Sequence, residues 1–289
     1  MFTVLRQRNF ALLWFGQLIS LIGDWVLFIA LPFYIYELTG STLATGAMFI
    51  AQLLPGLLLG SVAGVCADRW DRKRMMIAAD VLRALVLLLL LVVRSTEWLW
   101  LIYLVAFAQS AIGQFFMPAR SALIPQIVGE QELLQANSLS AVSDSLTRLI
   151  GPSLGGLLFA WFGLASVVFV DAASFAVSAL LIALVVVPAR HIGVTAAAQS
   201  AATWARVWRD WRDGLRVIRR ERLLVGLFVV MGLFSVADAI FTTLLVGFAK
   251  DIMRIGTQQL GVMMALQGVG GLLGGLVLTR VGQRLAPAR

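Results

Sequence analysis

The sequence predicts an all-α integral membrane protein, folded as a bundle of spanning helices. Hydrophobic residues make up 60% of the 289 residues and charged residues only 13%, whereas a soluble domain carries about 25% charged residues. The mean hydropathy is +0.92. A chain this apolar cannot enclose one core within a water-exposed surface, and its apolar runs of about 20 residues match the length of a bilayer-spanning helix. The formal charge of +8 forms no polar module of the kind that binds nucleic acid.

Eight apolar runs follow one another along the chain and define the predicted elements. Numbered as spans 1 to 8, they cover about 11–36, 43–67, 76–94, 98–118, 138–162, 164–187, 222–248 and 258–280. Span 1 is long, and Pro32 is expected to kink its far end. No small-residue cleavage site follows its apolar run, so we interpret it as a spanning helix and not as a removed signal peptide. The connections are short except for 119–137 and 188–221.

The distribution of Lys and Arg between the spans predicts the orientation in the membrane. With the N-terminus in the cytoplasm, 18 basic residues fall in cytoplasmic segments and 3 fall outside. The remaining two, Arg83 and Arg148, lie within spans. This asymmetry places the N-terminus on the cytoplasmic side.

The connection at 188–221 contains an amphipathic stretch. Apolar residues recur at steps of four, three, four and three, which gives one helical stripe: Trp204, Trp208, Trp211, Leu215 and Ile218. Arginines fill the other face. We interpret the stretch as an interfacial helix on the inner leaflet, and a regulatory site for anionic lipid is the alternative.

An internal repeat divides the chain. With a shift of 215 residues, 46–69 aligns on 261–284 without a gap, and nine of the 24 positions are identical. Span 8 therefore repeats span 2, and span 7 should repeat span 1. The predicted organisation is a six-helix bundle at 1–187, a cytoplasmic basic connector at 188–221, and the first two helices of a second bundle at 222–289. We expect a longer reading frame to supply four further spans.

Three sets of motifs carry a family resemblance. The connection between spans 2 and 3 reads GVCADRWDRKR and contains Gly64, Asp68, Arg69, Arg72 and Lys73. Span 5 carries GPSLGG, which contributes Gly151, Pro152, Gly155 and Gly156. Together with GQLISLIGDW, FFMPARSALIP and LLQANSLS, these motifs resemble the drug- and siderophore-efflux branch of the major facilitator superfamily. Asp71 stands where the loop signature usually has Gly, so the same tight turn is not assumed.

The resemblance implies a secondary active transporter of a bacterial inner membrane, without enzyme activity or cofactor. The implied function is proton-coupled efflux of amphipathic small molecules, drugs or siderophores, by alternating access, and the complete protein is expected to be a monomer. It also implies that Asp68 faces the N-terminus of helix 11, which this chain lacks, and so holds the two halves closed on the cytoplasmic side. The dipole at a helix N-terminus favours a carboxylate. We call this contact the latch. Arg72 and Lys73 would add charge pairs, or act only as topology signals.

The latch gives a first prediction. We expect Asp68→Asn to reduce efflux while leaving membrane insertion intact, because a loop amide inserts as easily as a loop acid. Equal efflux by the variant and the wild-type protein, measured in cells at matched expression, would remove Asp68 from the mechanism.

Charged residues inside the spans are the candidates for the transport pathway. Asp24 lies ~21 Å from Phe10 at ~1.5 Å per residue, near the middle of span 1. No basic residue lies three or four positions away, so Arg148 or another helix must supply a partner. Because a desolvated carboxylate favours its protonated form, Asp24 is the main candidate for exchanging a proton for a substrate. A packing hydrogen bond to another span is the alternative.

Other intramembrane charges are secondary candidates. Asp144 and Arg148 lie four apart on span 5 and can neutralise one another, either as a buried structural pair or as part of the pathway wall. Asp238 in span 7 falls one residue from the repeat position of Asp24. Three further charges are interpreted as structural or simply hydrated: Asp80, Arg83 and Asp171.

Other classes of protein are less well supported. The single Cys66 and the single His191 exclude a disulfide scaffold and a Cys/His metal site built from this chain alone. The sequence lacks a GxxxxGK[ST] phosphate loop, which argues against ATP hydrolysis by this chain. The membrane domain of an ATP-driven exporter and a truncated, non-transporting fragment stay as alternatives. The expected partners are a small-molecule substrate, protons and anionic lipids, and no nucleic acid.

Overall fold

The computed structural model describes residues 2–187, 212, 222–256, 258–264, 266–267 and 269–270. The long helices are α1 Arg8–Thr39, α2 Thr42–Arg69, α3 Arg72–Leu88, α4 Leu99–Ile127, the helix Leu133–Ala183, and α7 Arg222–Gly247. Gly163 breaks the helix Leu133–Ala183, since its φ of 70° and ψ of −173° are not helical. We therefore treat 133–162 as α5 and 164–183 as α6. The described part of α8 begins at 258.

The structure confirms the all-α membrane fold. Among the described residues, five helices are long and apolar enough to cross a membrane, and one of them is the broken helix Leu133–Ala183. Each of spans 1 to 7 coincides with a helix or an arm of one. The connector at 188–221 and the part of span 8 beyond 270 lie outside the described residues, apart from Arg212. The division into three units therefore stays a prediction.

The prediction of a long connection at 119–137 is wrong. α4 continues to Ile127 and the next helix begins at Leu133, with a short 3₁₀ turn at Glu130–Glu132 between them. Pro118 and Pro125 both lie inside α4. Spanning helices tolerate proline because neighbouring helices and side chains re-satisfy the freed backbone groups. The helix therefore continues beyond the end of the apolar run at 118.

Short capping signals set the tight connections between helices. Gly40 ends α1 in the left-handed conformation, with φ of 62°, and the Ser41 hydroxyl accepts a hydrogen bond from the Ala44 N–H at 3.2 Å. Asp71 caps α3 by accepting from the Arg74 N–H at 2.7 Å. The φ of Asp71 is −62°, so this turn does not require the glycine that the loop signature usually carries.

The helices pack in pairs. α1 lies along the α5–α6 helix, α2 lies along α4, and α3 packs against both α4 and the α5–α6 helix. We call the end of the bundle that carries the α2–α3 connection the basic end, and the other end the opposite end. One hydrophobic cluster lies toward the basic end and includes Phe10, Met76 and Leu123. A second cluster lies toward the opposite end.

α7 and α8 join the other helices at the opposite end. Val246, Ala249 and Leu260 are buried in the hydrophobic cluster there. Lys250 forms an ion pair with Glu37 at 3.1 Å, and the Tyr36 hydroxyl donates to Asp251. These contacts join the end of α1 to the segment that follows α7.

Candidate functional site

Asp24 of α1 and Arg83 of α3 form an ion pair deep in the bundle. Arg83 Nη2 donates to Asp24 Oδ1 at 2.6 Å. The Arg83 side chain is 15% exposed and the Asp24 side chain 35% exposed, so one face of the pair stays open. Asp24 thus takes its partner from another helix, and that partner is Arg83, which the sequence did not single out as a site residue, and not Arg148.

Two neighbouring helices hold Arg83 in place. Its Nε donates to Gln109 Oε1 at 3.0 Å, and Gln109 Nε2 donates to the Arg83 carbonyl oxygen at 2.6 Å. The guanidinium carbon lies 4.0 Å from the centroid of the Phe175 ring, within the range of a cation–π contact. The sequence analysis missed Gln109, whose only sequence signal is an amide within the apolar run of α4. In the structure this amide is buried.

Two further carboxyl groups are buried near this pair. Asp80 of α3 is 1% exposed and Asp171 of α6 is 0% exposed. The interpretation of Asp171 as a hydrated residue is therefore wrong. Asp171 is buried because α1 carries a glycine at the point of contact: a Cβ on Gly23 would lie 2.3 Å from Asp171 Oδ1. The missing side chain of Gly23 makes the space that lets α6 bring Asp171 into the interior.

The other predicted pathway residues are not brought together. Asp144 and Arg148 are both exposed and form no ion pair within the described part of the chain, although helical spacing allows one. The Arg148 guanidinium instead lies 5.4 Å from the centroid of the Trp25 ring. The backbone of Asp238 belongs to α7, but its side chain lies outside the described part of the structure.

The GPSLGG motif of α5 packs against α1 and α8. All four of its predicted site residues are buried: Gly151, Pro152, Gly155 and Gly156. A Cβ on Gly155 would lie 2.6 Å from the carbonyl oxygen of Val26. On the other side, the Ser153 hydroxyl donates to the Gly261 carbonyl oxygen at 3.2 Å. The motif therefore brings three helices into close contact, as small residues do in membranes.

The basic loop is bound to its own bundle. Arg72 Nη1 donates to the Ala122 carbonyl oxygen at 3.1 Å, and Lys73 Nζ donates to the Ala183 carbonyl oxygen at 2.7 Å, at the end of α6. A cation is favourable at a helix C-terminus. Gly64 has open space beside it. The side chains of Asp68 and Arg69 lie outside the described part, so the latch stays a prediction.

The comparisons with known proteins agree with this architecture. The family model of the Major Facilitator Superfamily matches residues 13–289. Macrolide efflux protein A of Streptococcus pyogenes is 26% identical over 274 residues, which cover 94% of this chain and 66% of that protein. The multidrug efflux pump Tap of Mycolicibacterium fortuitum is 29% identical over 288 residues, which cover 94% of this chain and 66% of that protein.

A solved structure shows the same fold. The chain is similar to a bacterial homologue of the iron transporter ferroportin in the inward-facing state, with a TM-score of 0.66 and 19% sequence identity, over 98% of this chain and 70% of that chain. The chain spans about two thirds of the length of the efflux proteins it matches. Because the family model covers nearly the whole sequence and the helical architecture agrees with it, the chain belongs to the Major Facilitator Superfamily.

Proposed function

We propose that the protein exports amphipathic small molecules in exchange for protons, by alternating access, across a bacterial inner membrane with its N-terminus in the cytoplasm. The observation that carries this proposal is the Asp24–Arg83 ion pair, which lies far from both ends of α1 and keeps one face open. Ionisable groups at such depth are costly, and in transporters they mark ion pathways and proton relays.

Two relatives support the direction and the kind of substrate. The names of the S. pyogenes and M. fortuitum proteins describe efflux, one of macrolides and one of several drugs. An amphipathic small molecule combines an apolar body with a few polar groups. An apolar pathway with a small number of charged residues suits such molecules. Membership of this family also favours a gradient-driven transporter over the membrane domain of an ATP-driven exporter.

The ion pair supplies a coupling mechanism by competition. Asp24 is neutralised in one of three ways: by Arg83, by a proton, or by a cationic substrate at its open face. A proton that binds Asp24 removes the negative charge that attracts the substrate, and substrate binding displaces the proton. Two ligands that exclude one another at one site are thermodynamically coupled. The membrane potential adds ~2.3 kcal/mol per elementary charge per 100 mV to the exchange.

Arg83 makes the exchange reversible. Its contacts with Gln109 and Phe175 hold the guanidinium in place independently of Asp24. When Asp24 loses its proton or its substrate, a fixed cation stands 2.6 Å away, so the carboxylate is not left unpaired. The cost of an unpaired Asp24 carboxylate is thereby avoided whenever neither a proton nor a substrate is bound to it.

The proposal is tested by Asp24→Asn, which keeps the shape of the side chain and removes its charge. We expect the purified variant to bind the cationic dye ethidium more weakly than the wild-type protein at neutral pH, and to transport neither ethidium nor a tritiated macrolide in response to a pH gradient in vesicles. The matched control is Glu37→Gln, which removes an acid of the same helix at the opposite end and should transport normally. A variant of Asp24 that still exchanges protons for either probe would show that Asp24 is only structural.

A further inference from the structure

The interior around the ion pair contains more acid than base. Asp80 and Asp171 each lie within electrostatic range of both Asp24 and Arg83. The charged groups that act on the two acids are Asp24 of α1 and Arg83 of α3. Uncharged polar side chains from α4 and α6 lie in the same region: Gln109, Ser174 and Ser178. One guanidinium neutralises one carboxylate, and Arg83 makes its 2.6 Å contact with Asp24. Asp80 and Asp171 have no cation of their own among the described residues.

The two acids have few hydrogen-bond donors around them. Among the described residues, neither oxygen of Asp80 nor Asp171 Oδ2 has a hydrogen-bond partner of normal geometry. Within the same part of the chain, Asp171 Oδ1 accepts only from Ser174 Oγ, at 3.3 Å. An ionised carboxylate has about four acceptor sites to satisfy, so both groups would be severely under-satisfied as anions.

One serine lies beside Asp80. The hydroxyl of Ser178 faces the Asp80 carboxyl group and is fully buried, although it meets no hydrogen-bond geometry among the described residues. Gly16 of α1 packs against Ser178, with its Cβ position 3.4 Å from Ser178 Oγ. A serine hydroxyl has a single proton to donate, so Ser178 could satisfy only one of the acceptor sites of an ionised Asp80.

A metal ion does not account for the two acids. Among the residues that the structure describes, no three acidic, histidine or cysteine side chains converge closely enough to hold one. Asp80 and Asp171 lie on different helices, and the ion pair stands near both. The remaining way to neutralise a buried and unpaired carboxylate is to protonate it.

We propose that Asp80 and Asp171 are two further proton-binding sites, each holding one proton while the Asp24–Arg83 ion pair is intact. Binding converts each carboxylate and one proton into a neutral carboxylic acid, and no other bond changes. The inference extends the proposed proton exchange by giving the transporter proton sites beside Asp24. The protonation of these acids is nevertheless measurable without any transport.

Infrared spectroscopy of the purified full chain, in a detergent without carbonyl groups, tests this proposal. A protonated carboxyl group has a C=O stretching band that a carboxylate lacks. We expect that band at neutral pH in the wild-type protein, a weaker band in Asp80→Asn and in Asp171→Asn, and its loss in the double variant. The control Asp144→Asn changes an exposed acid on α5 and should leave the band unchanged. An absent band, or one that survives in the double variant, would overturn the proposal.

Thermal unfolding gives a second readout. An amide and a protonated acid carry the same zero charge, so Asp80→Asn and Asp171→Asn should unfold near the wild-type temperature. A large drop in both unfolding temperatures would show that the negative charges are needed, and would overturn the proposal as well. Failure of Asp24→Asn to affect transport would contradict the proposed function alone, because the infrared band of Asp80 and Asp171 does not depend on transport.

Discussion

Arg83→Gln is expected to destabilise the bundle by about 3 kcal/mol, the lower end of the range for breaking one partner of a buried ion pair. The lower end applies because the Asp24 side chain is 35% exposed and water can partly solvate it. The substitution leaves Asp24 without its 2.6 Å partner and also removes the cation stacked on the Phe175 ring. Reversible unfolding in mixed detergent micelles measures the free energy of unfolding.

A double-mutant cycle separates the ion pair from the other contacts of Arg83. The double variant Asp24→Asn/Arg83→Gln should be clearly less destabilised than the sum of the two single variants, with a coupling of about 0.5–3 kcal/mol. The matched control is the exposed ion pair between Lys250 and Glu37, whose side chains are 34% and 44% exposed. Its cycle should give only about 0.2–1 kcal/mol. Additive effects of the Asp24 and Arg83 substitutions would contradict the assignment of the pair.

Gly155→Ala is expected to disrupt the packing of α5 against α1. The new Cβ would lie 2.6 Å from the Val26 carbonyl oxygen and 2.8 Å from the Val26 Cα. Both are backbone atoms, so the clash is relieved only when α1 and α5 move apart. Overpacking of this kind costs about 1–3 kcal/mol, and here it also displaces the helix that carries Asp24. We expect lower stability together with reduced efflux.

Gly113→Ala in α4 is the matched control for this prediction. A Cβ on Gly113 meets nothing within 4 Å, and alanine has the higher helix propensity. Its stability and efflux should equal or exceed those of the wild-type protein. The close contact between α1 and α5 would be refuted if the two variants had the same unfolding free energy.

The fold could be predicted largely from the sequence, because its elements depend on local signals. Apolar length alone defined the spans, and the break at Gly163 was recognised between spans 5 and 6. The extent of α4 was not, because the apolar run ends at 118 whereas the helix continues to Ile127. Pro118 and Pro125 lie inside this helix, and spanning helices tolerate proline when neighbouring groups re-satisfy the freed backbone groups.

The site was predicted only in part, because its contacts are not local. The depth of Asp24 could be computed from the helical rise, but its partner lies 59 residues away on α3, which no helical periodicity reveals. The burial of Asp171 depends on Gly23, a residue of another helix. Asp144 and Arg148 have the helical spacing of an ion pair but do not form one with each other. Arg148 lies over the Trp25 ring of another helix instead, a contact that the sequence does not reveal.

The central claim, that a proton gradient drives efflux, is tested most directly in inside-out vesicles containing the wild-type protein. The lumen is made acidic without ATP, and uptake of a tritiated macrolide is followed together with lumenal pH. We predict uptake against the concentration gradient, a rise in lumenal pH that accompanies it, and loss of both when an ionophore collapses the proton gradient. Uptake that continues after the collapse, or that requires ATP, would contradict the proposed mechanism.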